Sequence, residues 1–261
     1  MPHLETAETV LEYDVFGSGA PVTLFAHGIA SSIEDVRFLG SGVAGSKVFF
    51  HFRGHGGSGV PEGLDAWGYP ALARDLRHVA DHVGAVACVG VSMGAGAILT
   101  CLAETPDRFE RVALVLPAGL DRPRPADPAS DLAAMARLID DGDIAGLTAL
   151  LAGQLPEDVA ALRGVDRVMA RRAHEVCRPG VARSIRALPE HTPVEDRALL
   201  RGVSARALVI GHEGDDTHPA SIAREVAAAL PGARLHVFDR PWSMLRERAV
   251  LRALVAGFLG G

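Results

Sequence analysis

Two hydrophobic periodicities alternate along the first half of the chain. Short runs rich in β-branched and aromatic residues predict strands at residues 11–16, 22–26, 47–52, 86–91 and 112–116. Between these runs, residues 69–83 carry apolar side chains at intervals of three and four, and residues 93–103 are rich in alanine and glycine, so both segments are predicted to be helices. This alternation is typical of an α/β fold, in which helices cover both faces of a mostly parallel central sheet.

The pattern changes after the fifth predicted strand. Residues 121–128 are proline-rich, and short segments of alanine, arginine and leucine follow them. Strands and helices alternate again from residue 207, with strands at 207–210 and 235–238 and helices at 222–230 and 245–259. We therefore predict a core of residues 1–117 and 203–261 and an inserted helical cap of residues 118–202.

Composition narrows the class of protein. The 261 residues are 48% hydrophobic and 22% charged, which is enough for a sizeable core. Acidic residues outnumber basic ones by 32 to 26, and this net charge of -6 disfavours a nucleic-acid partner.

Three further sequence features bear on the compartment. The chain has no bilayer-length apolar run, no signal-like start and only three irregularly spaced cysteines. We expect a cytoplasmic protein with no membrane partner; the oligomeric state is left open.

The strongest chemical signal is Gly-Val-Ser-Met-Gly at residues 90–94, between a predicted strand and a predicted helix. Glycines at both ends allow a tight turn that holds Ser92 in a strained conformation, with its hydroxyl at the carboxyl edge of the sheet. The N–H groups that open the following helix can bind an anion. This context predicts a nucleophilic serine; the alternative is a glycine-rich helix start with a capping serine.

With this turn, the chain resembles the α/β-hydrolase family over most of its length outside the cap. His-Gly-Ile at residues 27–29 is similar to the family's His-Gly-x segment, and Arg-Gly-His-Gly-Gly-Ser at residues 53–58 to its Arg-Gly-x-Gly-x-Ser loop. The resemblance implies that the backbone N–H groups of Ile29 and Met93 form an oxyanion hole. His27 is predicted beside the substrate pocket, although a histidine in this segment often serves as a structural hydrogen-bonding group.

The resemblance also implies a catalytic carboxylate in the loop after the predicted strand at 207–210. The family pattern of an apolar strand, Gly-x-x-x-Asp and a proline four residues later selects Asp215. A shift of one residue would select Asp216 instead. Both aspartates can alternatively cap the helix that begins near Pro219.

One element of the family pattern is missing, because no histidine follows His236. The family places its histidine after the last strand, and that position here falls near Pro241 and Trp242. Another histidine is therefore expected to act as the base, and His218 is best placed because it shares a loop with Asp215. His212, at a strand end, and His236, inside the last strand, are weaker candidates.

Two other interpretations stay open. The pocket can perform a cyclisation, elimination or proton transfer in which Ser92 is not acylated, with Trp242 as an apolar wall that carries one N–H donor. The chain can also be a ligand-binding relative without catalysis, since the fold alone does not fix the function.

The interpretation we carry forward is hydrolysis of a small ester, lactone or thioester by Ser92, Asp215 and His218. Ile29 and Met93 are the predicted oxyanion donors, and His27 and Trp242 the predicted pocket residues. The expected partner is a small-molecule substrate. No metal or organic cofactor is expected, because the sequence has no Cys-x-x-Cys cluster and no phosphate-binding loop that ends in lysine.

Overall fold

A computed structural model of the protein describes residues 1–123 and 130–261; residues 124–129, which include most of the predicted proline-rich segment, lie outside the described residues. Within these ranges, eight strands form one sheet. In chain order they are β1 (His3–Glu5), β2 (Val10–Phe16), β3 (Val22–Ala26), β4 (Ser46–Phe50), β5 (Ala87–Val91), β6 (Arg111–Val115), β7 (Arg206–His212) and β8 (Arg234–Phe238).

The spatial order of the strands is β1-β2-β4-β3-β5-β6-β7-β8. Strand β2 pairs antiparallel with β1 and β4, and every other neighbouring pair is parallel. The predicted α/β fold with a mostly parallel sheet is therefore confirmed. Because parallel strands end at the same edge, the loops after β3, β5, β7 and β8 meet there.

The helices lie between and after these strands. In chain order they are α1 (Ile33–Val36), α2 (Tyr69–Val83), α3 (Met93–Glu104), α4 (Asp131–Asp140), α5 (Ile144–Gly153), α6 (Glu157–Ala160), α7 (Val165–Val176), α8 (Pro179–Ala187), α9 (Ala220–Ala229), α10 (Ser243–Arg246) and α11 (Arg248–Gly260). Short 3₁₀ turns lie at Arg37–Gly40, Leu64–Trp67, Leu188–Glu190 and Arg197–Gly202. No helix of the described chain combines the length and the apolar character needed to cross a membrane.

Each central strand sends alternate side chains to opposite faces of the sheet. Leu24 and Val209 face a core shared with α2, α3 and α9. Phe25 and Ile210, their next neighbours in sequence, face a second core shared with α1 and α11. Strands buried on both faces appear in the sequence as continuous apolar runs, and this is why their positions could be predicted.

A third apolar cluster lies outside the sheet. It joins α4, α5, α7 and α8 through side chains such as Leu147, Met169 and Val181, and it includes Ala30 from the loop after β3. In sequence these helices lie between β6 and β7, where the helical cap was predicted. The boundaries of that cap, residues 118–202, stay a prediction.

The structure differs from the sequence prediction in several elements, among them α1, which was not predicted, β1 and the last helix. The three-residue strand β1 was not predicted, because so short a segment carries no measurable periodicity. The single helix predicted at 245–259 is divided into α10 and α11, because Glu247 leaves the helical conformation at φ -112° and ψ 29°.

The loop after β4 is tied to α2 by a buried ion pair. Arg53 and Asp75 have side chains that are 1% and 0% exposed, and the Arg53 guanidinium donates to both carboxylate oxygens at 2.8 and 2.6 Å. Arg53 also donates to the Ala66 carbonyl at 3.0 Å and to Glu8 at 3.0 Å. This ion pair fixes the Arg-Gly-His-Gly-Gly-Ser segment beside the sheet.

Replacing Asp75 with asparagine should destabilise the fold, because the Arg53 guanidinium would keep only Glu8, which is 39% exposed, as a charged partner. Removing one member of a buried ion pair costs about 3 to 5 kcal/mol. Urea unfolding at neutral pH measures this loss. The control is Glu104→Gln, which breaks the exposed Arg77–Glu104 pair and should cost about 1 kcal/mol or less. Equal losses in the two variants would contradict this account.

Candidate active site

Ser92 lies in the tight turn between β5 and α3. Its backbone has φ +50° and ψ -107°, a strained conformation for a residue with a side chain. The flanking glycines allow the turn: a β-carbon on Gly90 would lie 2.5 Å from the Gly94 carbonyl carbon, and one on Gly94 would lie 2.6 Å from the Ala26 carbonyl oxygen. The predicted turn is therefore present, with Ser92 at the carboxyl edge of the sheet.

Two backbone N–H groups lie beside Ser92, at the positions predicted for an oxyanion hole. Gly28 passes so close to Ser92 that a β-carbon on it would be 3.4 Å from the serine Cβ. Ile29 follows Gly28, and Met93 opens α3; both residues line the same cavity as Ser92. Neither N–H has a hydrogen-bond partner within the described part of the chain. Both are thus free to bind an anion.

The loop after β7 presents Asp215 to the site. Its Oδ1 accepts hydrogen bonds from the N–H groups of Thr217 at 2.7 Å and His218 at 3.2 Å. Its Oδ2 is 2.7 Å from His212 Nε2 and 2.9 Å from His218 Nδ1. Partial burial raises the pKa of Asp215, but the hydrogen bonds from His212 and His218 outweigh it and hold the pKa well below its usual range. The carboxylate therefore stays ionised.

His218 joins this carboxylate to the serine. Its Nε2 lies 2.9 Å from Ser92 Oγ, and its Nδ1 lies 2.9 Å from Asp215 Oδ2. An ionised carboxylate only accepts, so Nδ1 carries the proton and Nε2 of the neutral ring accepts from the serine hydroxyl. Asp216, the alternative acid, is exposed beside this pair. The structure thus brings together Ser92, His218 and Asp215.

A second histidine lies on the other side of Asp215. His212 ends β7, is 2% exposed, and has its Nδ1 3.1 Å from Ser243 Oγ. The sequence identified His212 only as a weaker candidate for the base, and Ser243 was missed because a serine after Trp242 carries no recognisable signal. One possible metal-ligand atom from each of His212, Asp215 and His218 lies within 4.8 Å of the other two, a spacing that can hold a metal ion. Hydrogen bonds among the three side chains account for this spacing.

Ser92 opens into a cavity of about 610 Å³ between the sheet edge and the helices that follow β6. Its apolar lining comes from both sides and includes Ile29, Leu116, Leu132, Met135, Leu188, Trp242 and Leu245. Trp242 therefore lies where the sequence predicted a pocket wall. Charged residues also line the cavity, among them Arg171, Arg172 and Arg248. Arg171 and Arg172 already pair with Asp35 or the Ala30 carbonyl.

The structure does not place His27 in this cavity, which corrects the prediction that His27 lines the substrate pocket. The side chain is fully buried: Nδ1 lies 2.7 Å from the Gly28 carbonyl, and Nε2 accepts from the Phe52 N–H at 3.2 Å. Burial lowers the pKa of His27 well below its ordinary value, and the rings of His55 and His51 lower it further. His27 is a neutral core residue that fixes the loop after β3.

His236, the other weak candidate for the base, lies in the edge strand β8, where it pairs with Ile210. Its ring packs edge-on against Phe238 at a centroid distance of 4.5 Å. It belongs to the sheet and not to the group around Ser92.

The chain is similar to a known protein family and to several solved structures. A family model described as the alpha/beta hydrolase family matches residues 23–251. An enol-lactonase from Burkholderia xenovorans LB400 has a TM-score of 0.82 at 22% identity, with all of both chains covered. A hydrolase from Pseudomonas aeruginosa PA01 has a TM-score of 0.79 at 23% identity, covering 100% of this chain and 98% of that one. These structures share the fold. A search of curated protein sequences gave no significant match.

A third similar structure is the 2-hydroxy-6-oxo-6-phenylhexa-2,4-dienoate hydrolase from Rhodococcus sp. strain RHA1. Its TM-score is 0.77 at 19% identity, and the alignment covers 99% of this chain and 98% of that one. At 19% identity, this similarity shows a shared fold and nothing finer.

Because the protein buries a neutral histidine, we expect it to lose stability in acid. Burial lowers the pKa of His55 from 6.5 to about 4, and its Nε2 has no hydrogen-bond partner among the described residues. The unfolded chain protonates His55 more readily than the folded protein does. The stability that the neutral ring provides is therefore fully present above about pH 6.5 and is lost as the pH falls towards about 4. One such group contributes a loss of about 2 kcal/mol between about pH 7 and about pH 5.

Urea unfolding of wild type and His55→Asn at several pH values measures this contribution. The asparagine amide can replace the donor that His55 Nδ1 offers to the Arg53 carbonyl, but it does not titrate. The variant should therefore lose less stability than wild type on acidification. Parallel stability curves for the two proteins would show that His55 does not carry the effect.

Proposed function

Because the chain belongs to the alpha/beta hydrolase family, we propose that it hydrolyses a small ester, lactone or thioester through Ser92. In this proposal His218 is the general base and Asp215 orients it. One observation carries the proposal: Nε2 of His218 lies 2.9 Å from Ser92 Oγ while its Nδ1 lies 2.9 Å from Asp215. A serine hydroxyl is a weak nucleophile at neutral pH, and this is the contact that activates it.

The first half of the proposed reaction acylates the serine. Ser92 Oγ attacks the substrate carbonyl carbon while its proton passes to His218 Nε2. The imidazolium that forms is stabilised by the ionised Asp215, which does not itself take the proton. When the tetrahedral intermediate collapses, His218 returns the proton to the leaving alcohol, thiol or ring oxygen.

The N–H groups of Ile29 and Met93 are the proposed donors to the negative oxygen of this intermediate. Neither N–H group has a hydrogen-bond partner in the described chain, and this supports the proposed role. Donors fixed in advance stabilise charge that develops in the transition state more than they stabilise the bound substrate. Each such donor lowers the barrier by about 3 to 4 kcal/mol.

The second half of the proposed reaction releases the acid product. A water molecule takes the place of the leaving group beside His218, which removes its proton as the water attacks the acyl carbon. The second tetrahedral intermediate uses the same two N–H donors. Its collapse frees Ser92 and returns the proton from His218 to the serine oxygen.

The cavity supports a small, largely apolar substrate. Its volume of about 610 Å³ falls within the roughly 300 to 1,000 Å³ typical of small-molecule sites. We propose that the helical cap of residues 118–202 covers this cavity, since side chains such as Leu132 and Met135 line it. Similar structures include an enol-lactonase and an esterase, and these activities agree with the proposed class.

Single substitutions test the proposed roles through turnover of p-nitrophenyl acetate, a small activated ester. Ser92→Ala and His218→Ala should each lower kcat by at least about 10³-fold, because the serine and its base act as one unit. Asp215→Asn should lower kcat by at least about 10²-fold, since it removes the charge that supports the imidazolium.

Asp216→Asn is the matched control, because Asp216 is the next residue in the same loop and has an exposed side chain. It should retain turnover within about threefold of wild type. Undiminished turnover in Ser92→Ala would remove the serine mechanism. Similar losses in Asp216→Asn and Asp215→Asn would remove the assigned acid.

A labelled-water experiment separates hydrolysis from a cyclisation or elimination in the same pocket. A panel of small esters, lactones and thioesters is incubated with the protein in H₂¹⁸O, and the products are examined by mass spectrometry. Hydrolysis through an acyl-serine places one ¹⁸O atom in the product carboxylate. Turnover that yields products without ¹⁸O would contradict the proposed reaction.

A further inference from the structure

The carboxylate of Asp215 accepts a hydrogen bond from a second imidazole, His212, that the proposed reaction does not use. We infer that His212, held by Ser243, is a positioning residue that fixes Asp215 and through it the base His218. The inference rests on the proposed function, because it concerns the acid and base of that reaction. Through His212, one chain of hydrogen bonds joins the loops after β7 and β8.

With both imidazoles neutral, the direction of every hydrogen bond in this chain follows from Asp215. The ionised carboxylate only accepts, so His212 Nε2, at 2.7 Å, must be a donor. In a neutral ring Nδ1 is then an acceptor, and it must receive its hydrogen bond from the Ser243 hydroxyl at 3.1 Å. The same argument on the other side makes His218 Nε2 the acceptor for Ser92. The two histidines thus adopt opposite tautomers.

The two oxygens of Asp215 are held in different ways. Oδ1 is fixed by backbone N–H groups of its own loop, those of Thr217 and His218. Oδ2, the oxygen that orients the His218 ring, has His212 as its other partner among the described residues. Without His212, only the catalytic histidine itself would hold this oxygen. The Asp215 side chain is 21% exposed, so water would then compete for the free position.

His212 is well placed to hold this oxygen in one position. It ends the buried strand β7, where it pairs with Phe238 of β8, and its side chain is 2% exposed. The rings of His212 and His218 lie 6.3 Å apart and at 78° to each other, with the carboxylate between them. A rigid strand therefore supports a carboxylate that lies on a loop.

Ser243 lies at the other end of this series of hydrogen bonds. It is fully buried and opens α10 directly after Trp242, whose left-handed φ of +66° turns the backbone at this point. The Trp242 carbonyl accepts from the N–H groups of Leu245 and Arg246 at 2.9 Å. The loop after the last strand thus contributes to the site through a hydroxyl that contacts His212.

Steady-state kinetics with p-nitrophenyl acetate tests this role. His212→Leu removes the donor and should lower kcat by about 10- to 100-fold, the usual effect of losing a hydrogen bond to a charged group. KM should stay within about twofold, since His212 acts through Asp215 and not on the substrate. His212→Gln keeps an N–H donor at a similar distance from the backbone and should restore most of kcat.

The matched control is His236→Leu, because His236 lies on the adjacent strand and has no contact with Asp215 among the described residues. It should leave kcat unchanged. If His212→Leu lowers kcat no more than His236→Leu, or if His212→Gln is as slow as His212→Leu, the inference is wrong.

A double-mutant cycle tests the link to Ser243. Ser243→Ala leaves His212 Nδ1 without its donor and should lower kcat by about 3- to 10-fold. In the His212→Leu background the same change should have little further effect, because the two residues act in series. Additive losses would show that Ser243 acts independently of His212.

Long-range ¹H–¹⁵N NMR of the histidine rings separates failure of this inference from failure of the proposed function. At neutral pH, His212 should carry its proton on Nε2 and His218 on Nδ1. The His212 Nδ1 resonance should shift in Ser243→Ala. A His212 ring protonated on Nδ1 would overturn the inference even if Ser92 proves to be the nucleophile. The expected tautomers in a protein without ester turnover would instead contradict only the proposed function.

Discussion

The geometry of the site depends on how closely backbone segments approach one another at the carboxyl edge of the sheet. Gly90 and Gly94 leave no room for a β-carbon, and this lets α3 begin directly against β5 and the loop after β3. The result is a strained Ser92 whose hydroxyl points away from the core, beside the N–H groups of Ile29 and Met93. The strain at Ser92, of the order of 1 to 3 kcal/mol, is sustained by the two apolar cores that hold the sheet between its helices.

The second constraint is that the proposed acid and base lie on one loop. Asp215 and His218 are three residues apart, and the same carboxylate accepts from both the backbone N–H and the ring of His218. A loop that folds back on itself in this way fixes their relative orientation locally. The loop after β8 instead carries Trp242 into the cavity wall and Ser243 to His212. The loops after β7 and β8 therefore both contribute to the site, and the loop after β7 supplies both the acid and the base of the proposed reaction.

Much of this structure could be predicted from the sequence, because the strongest signals are local. Continuous apolar runs identified the central strands, and the strand-glycine-serine-glycine-helix pattern located the turn at Ser92. His218 could be selected because it shares a loop with Asp215. His27 could not be assigned correctly, since the sequence does not show which way a side chain leaves a loop, and in the structure it points into the core. The hydrogen bond between His212 and Ser243 joins residues 31 positions apart, and no periodicity reports on such a pair.

The central claim is that His218 activates Ser92. Intact-mass spectrometry of the wild-type protein and His218→Ala after exposure to a fluorophosphonate tests it most directly, because this probe reacts with activated serines. The account predicts a single adduct on wild type, mapped to Ser92 by peptide sequencing, and a labelling rate at least about 10³-fold lower in His218→Ala. No adduct on wild type, or equal labelling of the two proteins, would contradict the account.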